Sequence, residues 1–297
     1  MHTNVKTALG IFLFFFFGYF ALLELSENVS SNIKRFDISI PLISYFKPEL
    51  FALVLVPLLL ATGWRVWSGE SHWSSAWYHS GVPLGLIASS ISLIGVLQNV
   101  NDLEQTRRLI AESLLAICYG GVVSLIGYLN LHKSFIPIKR NGHSNIPKLF
   151  VLLLLNLIIA AGMQYYESIG AFIDKATLLI YLAIICLFLL VNRDGTKSVC
   201  LLTCEAMVMV SFVSVLIALV SYINYQGYPY LVGPAIAIGI LGPFYGSFGI
   251  LLCAIFLPEK DLQSINFSLI NWHLLEICGF WILMCLAPKS LLEMFPV

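Results

Sequence analysis

Four ionisable side chains, which lie in three of the apolar segments of the sequence, are the residues whose chemistry most needs an explanation. Glu112 lies one turn into one segment, and Glu205 lies at the start of another. His273 and Glu276 are three residues apart in a third, so a helix places them on one face. Charge inside a bilayer is costly and commonly marks an ion path. His273 and Glu276 therefore indicate either a buried structural pair or a proton relay, whereas Glu112 and Glu205 lie near segment ends that water or lipid headgroups can reach.

The seven cysteines of the chain all lie in or beside apolar segments, which does not indicate a disulfide framework. Cys200 and Cys204 have a spacing that would allow a soft metal to bind, but no histidine or carboxylate pattern completes the site. We expect both to act as small apolar residues, and we predict neither a metal nor another cofactor. The sequence shows no nucleotide-binding loop, zinc-hydrolase motif or nucleophile elbow, so we predict that the chain is not an enzyme.

The elements that must position these residues are membrane-spanning helices. Of the 297 residues, 59% are hydrophobic and 11% are charged, and the mean hydropathy is +0.89. A helix needs about 20 mainly apolar residues to cross the hydrocarbon core. We therefore predict an all-α polytopic membrane protein with about nine transmembrane helices. The predicted spans are 7–25, 48–66, 81–98, 109–131, 147–166, 174–192, 204–223, 231–257 and 268–287.

The distribution of charge predicts the orientation and limits the partners. The segment 132–148 carries four basic residues and no acidic residue, so we expect it on the cytoplasmic side. The formal net charge is zero, which does not indicate nucleic acid as a partner. We predict a multi-pass protein of the cell inner membrane, surrounded by the lipid bilayer.

The chain contains a weak internal repeat at an offset of 126 residues. This offset aligns IAESLLAICYG at 110–120 with IAIGILGPFYG at 236–246, so that Ile-Ala and Tyr-Gly coincide. It also aligns LIASSISLIGVL at 86–97 with FVSVLIALVSYI at 212–223. Repeats of four spans face the same way across a membrane, because four is even. We predict two parallel four-helix repeats, at 1–145 and 146–262, and an extra C-terminal helix within 263–297.

Small residues line the third and fourth spans of the first half and the fourth span of the second half. Helices in lipid associate through van der Waals contact, and small side chains let their backbones approach closely. We therefore predict tightly packed helix pairs in both halves. Pro243 also predicts a bend in the eighth span, either a working hinge or a fixed kink. The small residues are Gly85, Ser89, Ser92, Gly95, Gly120, Gly121, Ser124 and Gly127 in the first half, and Gly239, Gly242, Gly246 and Gly249 in the second.

Two segments resemble the MotA/TolQ/ExbB proton-channel family. Residues 81–129 read GVPLGLIASSISLIGVLQNVNDLEQTRRLIAESLLAICYGGVVSLIGYL, which is similar to the core helix pair of that family. Residues 231–258 read LVGPAIAIGILGPFYGSFGILLCAIFLP, which is similar to its fourth-helix motif. The chain departs from the family where a threonine precedes Tyr-Gly, because Ile117 and Pro243 stand there. The threonine of the third helix is matched by Ser89 in the first half and replaced by Val215 in the second.

This resemblance implies a ring of subunits around the transmembrane helix of a single-pass partner that carries an acidic residue. The expected function is a membrane subunit of an ion-motive-force-coupled complex, a homo-oligomer that packs around partner helices and conducts protons with them. If the loss of these threonine hydroxyls prevents conduction, the same architecture would be a non-conducting scaffold.

A secondary transporter of a small solute, with its site between the repeats, is the alternative from another class. The candidate residues for the ion path or the partner-helix contact are Ser89, Ser92, Glu112, Tyr119, Gly120, Ser214, Pro243, Tyr245 and Gly246, and the other intramembrane polar candidates are Glu205, His273 and Glu276.

Overall fold

The computed structural model describes seven α-helices and one short 3₁₀ helix. It covers residues 47–68, 73–99, 102–130, 145–191, 199–224 and 229–256, together with Glu276 and Gly279, which are both helical. The 3₁₀ helix, Ile169–Phe172, lies between α4 and α5. The α-helices are α1 (Pro48–Ser68), α2 (Trp73–Gln98), α3 (Leu103–Leu129), α4 (Asn145–Tyr166), α5 (Lys175–Val191), α6 (Val199–Asn224) and α7 (Pro229–Phe256).

Six of these helices are long and apolar enough to cross a membrane, and α5 contains a shorter apolar stretch, Thr177–Leu190. The described part of the chain thus has the all-helical architecture of a polytopic membrane protein, as the sequence predicts. Seven of the nine predicted spans fall on α1 to α7. The predicted spans 7–25 and 268–287 lie outside the described residues, apart from Glu276 and Gly279.

Two helices begin earlier than hydropathy predicts. The α2 helix starts at Trp73 rather than at residue 81 because α3 packs over the first turns of α2. Ser74 is buried there, and a Cβ on Gly127 of α3 would lie 2.7 Å from the Ser74 carbonyl oxygen. The α3 helix starts at residue 103 rather than 109 because the Asp102 carboxylate accepts the Gln105 N–H at 3.0 Å and caps it.

The α2 and α3 helices form an antiparallel pair in backbone contact. A Cβ on Gly120 would lie 2.5 Å from the carbonyl oxygen of Gly81 and 2.7 Å from the Cα of Gly85. One turn away, the Ser124 hydroxyl donates to the Tyr78 carbonyl at 2.8 Å. The glycines are therefore required by the close approach of the two helices, which is the packing that the small-residue stripe predicts.

The α6 and α7 helices form a second antiparallel pair of the same kind. A Cβ on Gly246 would lie 2.7 Å from the Cβ of Ser211, and a Cβ on Gly242 would lie 2.5 Å from the Cβ of Ser214. A Cβ on Gly249 would overlap the sulfur of Met207. This pair is slightly looser than the α2–α3 pair, because side-chain atoms and not only backbone atoms occupy the contact.

The α2 helix lies at the centre of the described bundle, where it packs against α1, α3, α4 and α7. Within the apolar windows of the six spanning helices, 89% of the α2 residues and 72% of the α7 residues are buried, against at most 50% elsewhere. One apolar core joins side chains of α1 to α4 with those of α7. The rings of Phe172 and Phe244 meet in this core at 5.7 Å between centroids. The two halves of the chain therefore meet chiefly where α2 packs on α7.

Candidate functional site

Glu112 is the centre of a charged cluster at the end of the bundle where α3 begins and α4 ends. Its carboxylate oxygens lie 3.9 Å from the Lys47 Nζ and 3.7 Å from the Arg108 Nε, and one of them accepts the Tyr166 hydroxyl at 3.1 Å. Only 10% of the Glu112 side chain is exposed. A desolvated carboxylate needs such compensation. The cluster therefore links α1, α3 and α4 through the Glu112 carboxylate, and Glu112 is less accessible to water than its position in the sequence suggests.

A second set of polar contacts lies beside this cluster, in the connection between α2 and α3. The Asn99 side-chain amide donates to the Gly95 carbonyl at 2.8 Å and to the Glu167 carboxylate at 2.9 Å. The Thr106 hydroxyl donates to the Asn99 carbonyl at 2.9 Å. Hydropathy gave no signal for these residues, which attach the α2–α3 connection to the end of α4.

The two tyrosines of the repeated Tyr-Gly motif bind the backbone that precedes a neighbouring helix. The Tyr119 hydroxyl accepts the N–H of Lys47, just before α1, at 3.2 Å. The Tyr245 hydroxyl accepts the N–H of Asp174, just before α5, at 3.1 Å, and donates to the Phe172 carbonyl at 2.6 Å. Both tyrosines therefore hold the start of a helix in place, a role that the sequence pattern alone does not reveal.

The Tyr245→Phe substitution should destabilise the protein. It removes two hydrogen bonds, one from the Asp174 N–H and one to the Phe172 carbonyl, and a typical bond contributes about 1 kcal/mol. We expect a loss of about 2 kcal/mol, measured by thermal unfolding of the purified variant in detergent. Unchanged stability would show that neither hydrogen bond contributes.

The three serines among the candidates for the ion path are buried, but their hydroxyls differ in bonding. The Ser92 hydroxyl donates to the Ala88 carbonyl at 3.2 Å, and the Ser214 hydroxyl donates to the Val210 carbonyl at 2.8 Å. Both therefore bond to their own helix, as serines in apolar helices commonly do. Ser89 is fully buried, and its hydroxyl has no hydrogen-bond partner in the described part of the chain. Of the three, Ser89 has a hydroxyl available for water or an ion.

Three other candidates from the sequence lie at helix contacts. Gly120 and Gly246 lie at close approaches of the α2–α3 and α6–α7 pairs. Pro243 is buried inside α7, where its missing N–H frees the carbonyl of Gly239 from the usual helical bond. Gly120 and Gly246 therefore pack helices of this chain together and do not line an open surface of it.

The remaining polar candidates differ in burial, and one of them lies outside the described residues. Glu276 is fully buried, and Glu205 is half-buried on the first turns of α6. His273 lies outside the described residues, so its predicted pairing with Glu276 stays a prediction. The Glu276 carboxyl interacts electrostatically with the Tyr181 hydroxyl of α5. This neighbour of Glu276 could not be identified from helical spacing, because it belongs to a different helix.

Comparisons of the chain with known protein families, with curated proteins and with solved structures found no match.

Proposed function

We propose that the chain is a membrane subunit of an ion-motive-force-coupled complex, with two parallel repeats of the MotA/TolQ/ExbB type. In this proposal it assembles as a homo-oligomer in the inner membrane and packs around the helices of a single-pass partner with an acidic intramembrane residue. The observation that carries the proposal is the recurrence of one glycine-mediated helix pair in both halves of the chain.

The helix bounds support this recurrence. Shifting α2, Trp73–Gln98, by 126 residues gives the bounds of α6, Val199–Asn224, and the same shift places α3 on α7 to within one residue. The offset came from the sequence motif Tyr-Gly, and the described helices of the two pairs follow the same offset.

The contacts inside the pairs support it further. Gly120 meets Gly81 and Gly85, and at the same offset Gly246 meets Met207 and Ser211. The tyrosine before each glycine accepts a hydrogen bond from the N–H that precedes α1 or α5. Equivalent positions thus have equivalent roles, as a duplicated unit requires.

Buried hydroxyls support proton conduction by this subunit. Ser89 on α2 and Ser247 on α7 are fully buried, and neither hydroxyl has a hydrogen-bond partner among the described residues. Ser247 shares a helical face with Phe244 and Leu251, which belong to the core that α7 forms with α2. Buried hydroxyls usually bind water when protein groups do not satisfy them. A hydrated route that includes these two buried hydroxyls is therefore part of the proposal.

The partner helix is proposed to lie against α3 and α6, because each is the less buried helix of its glycine-mediated pair. The outward faces of both helices are apolar, as a partner helix or lipid requires. Their exposed large side chains are Leu125, Tyr128 and Leu129 on α3, and Met209, Val213, Leu216, Ile217, Val220 and Ile223 on α6.

Proton flux into vesicles tests the conducting form of the proposal. With the partner present, Ser89→Ala should slow flux severalfold, because the route loses a hydroxyl that binds water. Ser113→Ala is the matched control, since Ser113 is equally buried but its hydroxyl donates to the Ile110 carbonyl at 2.7 Å. Equal flux in both variants would exclude Ser89 from the route. No flux in any sample would favour the non-conducting scaffold over the conducting form.

A secondary transporter is the second candidate, and the same hydroxyls favour it. A small polar solute bound inside the bundle would have the hydroxyls of Ser89 and Ser247 as candidate ligands. Such a protein should move its solute in liposomes without any partner. Transport by the purified chain alone would therefore favour this candidate over the energy-coupling subunit.

A further inference from the structure

The contact between α2 and α7 joins the two halves of the chain in one direction only. Shifting α1, α2 and α3 by 126 residues places them on α5, α6 and α7, within three residues at every end. The second helix of the first set therefore packs on the third helix of the other set. No comparable contact joins α6 to α3 in the described part of the chain. One surface of α6 and one of α3 thus lack the neighbour that their equivalents have.

The surface of α3 that lacks this neighbour is apolar, and its counterpart on α7 is buried. Phe244 and Leu251 of α7 lie in the core that joins α7 to the first half of the chain. The residues at the same offset on α3 are Cys118 and Leu125, which are seven residues apart and share a helical face. Cys118 is exposed, and Leu125 is 38% exposed where Leu251 is fully buried. This face of α3 therefore has the same apolar character without the same cover.

The surface of α6 that lacks a neighbour has a buried counterpart on α2. Three isoleucines of α2 lie in the same core, and the equivalent residues of α6 are exposed. The equivalent pairs are Ile87 and Val213, Ile91 and Ile217, and Ile94 and Val220. The exposed fraction rises from 3% at Ile94 to 58% at Val220. Since α5 packs on α6 as α1 packs on α2, the main additional cover of α2 is α7.

We propose that α6 of one copy of the chain packs on α3 of a second copy and repeats the α2–α7 contact between molecules. Two different surfaces meet in such a contact, so it is head-to-tail and can continue from copy to copy until a ring closes. It uses one flank of α3, and Val122 and Ile126 on the adjacent flank stay partly exposed for the proposed partner helix. The inference rests on the proposed duplication, but the contact itself needs no partner protein.

Disulfide cross-linking of the full-length chain in liposomes, without any partner protein, tests this contact. Cys118 supplies one thiol, and one of the substitutions Val213→Cys, Ile217→Cys or Val220→Cys supplies the other. These side chains are exposed, so the substitutions should leave the fold intact. After oxidation with copper phenanthroline, we expect at least one variant to form severalfold more covalent dimer than the parent chain. Adding Cys118→Ser should remove that increase.

A matched control is Leu153→Cys, because Leu153 on α4 is exposed to a similar extent as Val220 but has no place in the proposed contact. It should give no increase in dimer. If none of the three α6 variants formed a dimer that depends on Cys118, or if Leu153→Cys gave the same yield, the contact would be overturned and lipid would cover both faces. A Cys118-dependent dimer would support the contact whether or not a single-pass partner is found, so its failure and that of the energy-coupling function are distinguishable.

Discussion

The Gly120→Val substitution is expected to prevent stable packing of the first half, whereas Gly121→Val, at the next position of the same helix, is expected to be tolerated. A side chain at Gly120 would overlap the backbone of Gly81 and Gly85, which cannot move aside as a flexible side chain can. A Cβ at Gly121 meets nothing within 4 Å. Overpacking usually costs about 1–3 kcal/mol, and a clash with backbone should lie at or above the top of that range.

Thermal unfolding and size-exclusion profiles of the detergent-purified variants measure this difference. Both substitutions add the same apolar atoms to α3, so hydropathy and membrane insertion change equally. Only the packing against α2 differs. Equal stability of the two variants would contradict the α2–α3 contact, and with it the reason given for the small-residue stripe.

The second large effect is expected at the equivalent contact of the other half, where Gly246 meets Ser211. Gly246→Ala should lower the free energy of unfolding by about 1–3 kcal/mol, because its Cβ would lie 2.7 Å from the Ser211 Cβ. Ser211→Gly removes that Cβ and reproduces the arrangement of the first half, where Gly85 faces Gly120. The double variant should therefore recover most of the loss.

A double-mutant cycle measures this recovery from the unfolding of four proteins. We expect a coupling free energy of about 1–3 kcal/mol between the two positions. Gly233→Ala is a control on the same helix, since a Cβ there meets nothing within 4 Å. Additive effects of Gly246→Ala and Ser211→Gly would show that the two residues do not touch.

Most of the helices could be predicted from the sequence because their apolar runs match the thickness of a bilayer. The predicted span 147–166 and α4, Asn145–Tyr166, differ by two residues at one end. The beginnings of α2 and α3 could not be predicted in this way. Their first turns are polar. The first turn of α3 is helical because Asp102 caps it, and the first turns of α2 are helical because the end of α3 covers them.

The partners of individual side chains were much less predictable. Gly120 and Gly246 carry a local signal, because small residues at helical spacing indicate close packing whatever the neighbour. Glu112 carries no such signal, since Lys47 and Tyr166 approach it from other helices. Tyr119 and Tyr245 lie inside a recognisable motif, but their hydroxyls bind backbone groups more than 70 residues away. Such contacts depend on the folded arrangement of the helices.

The central claim, that this chain holds the helices of a partner in a multi-subunit complex, is tested most directly by native mass spectrometry of the gently purified protein. The expected result is more than one copy of the chain with a single-pass protein in fixed stoichiometry, and with an acidic residue in the partner's span. A lone monomer or dimer that moves a solute in liposomes without any partner would contradict the claim and favour the transporter.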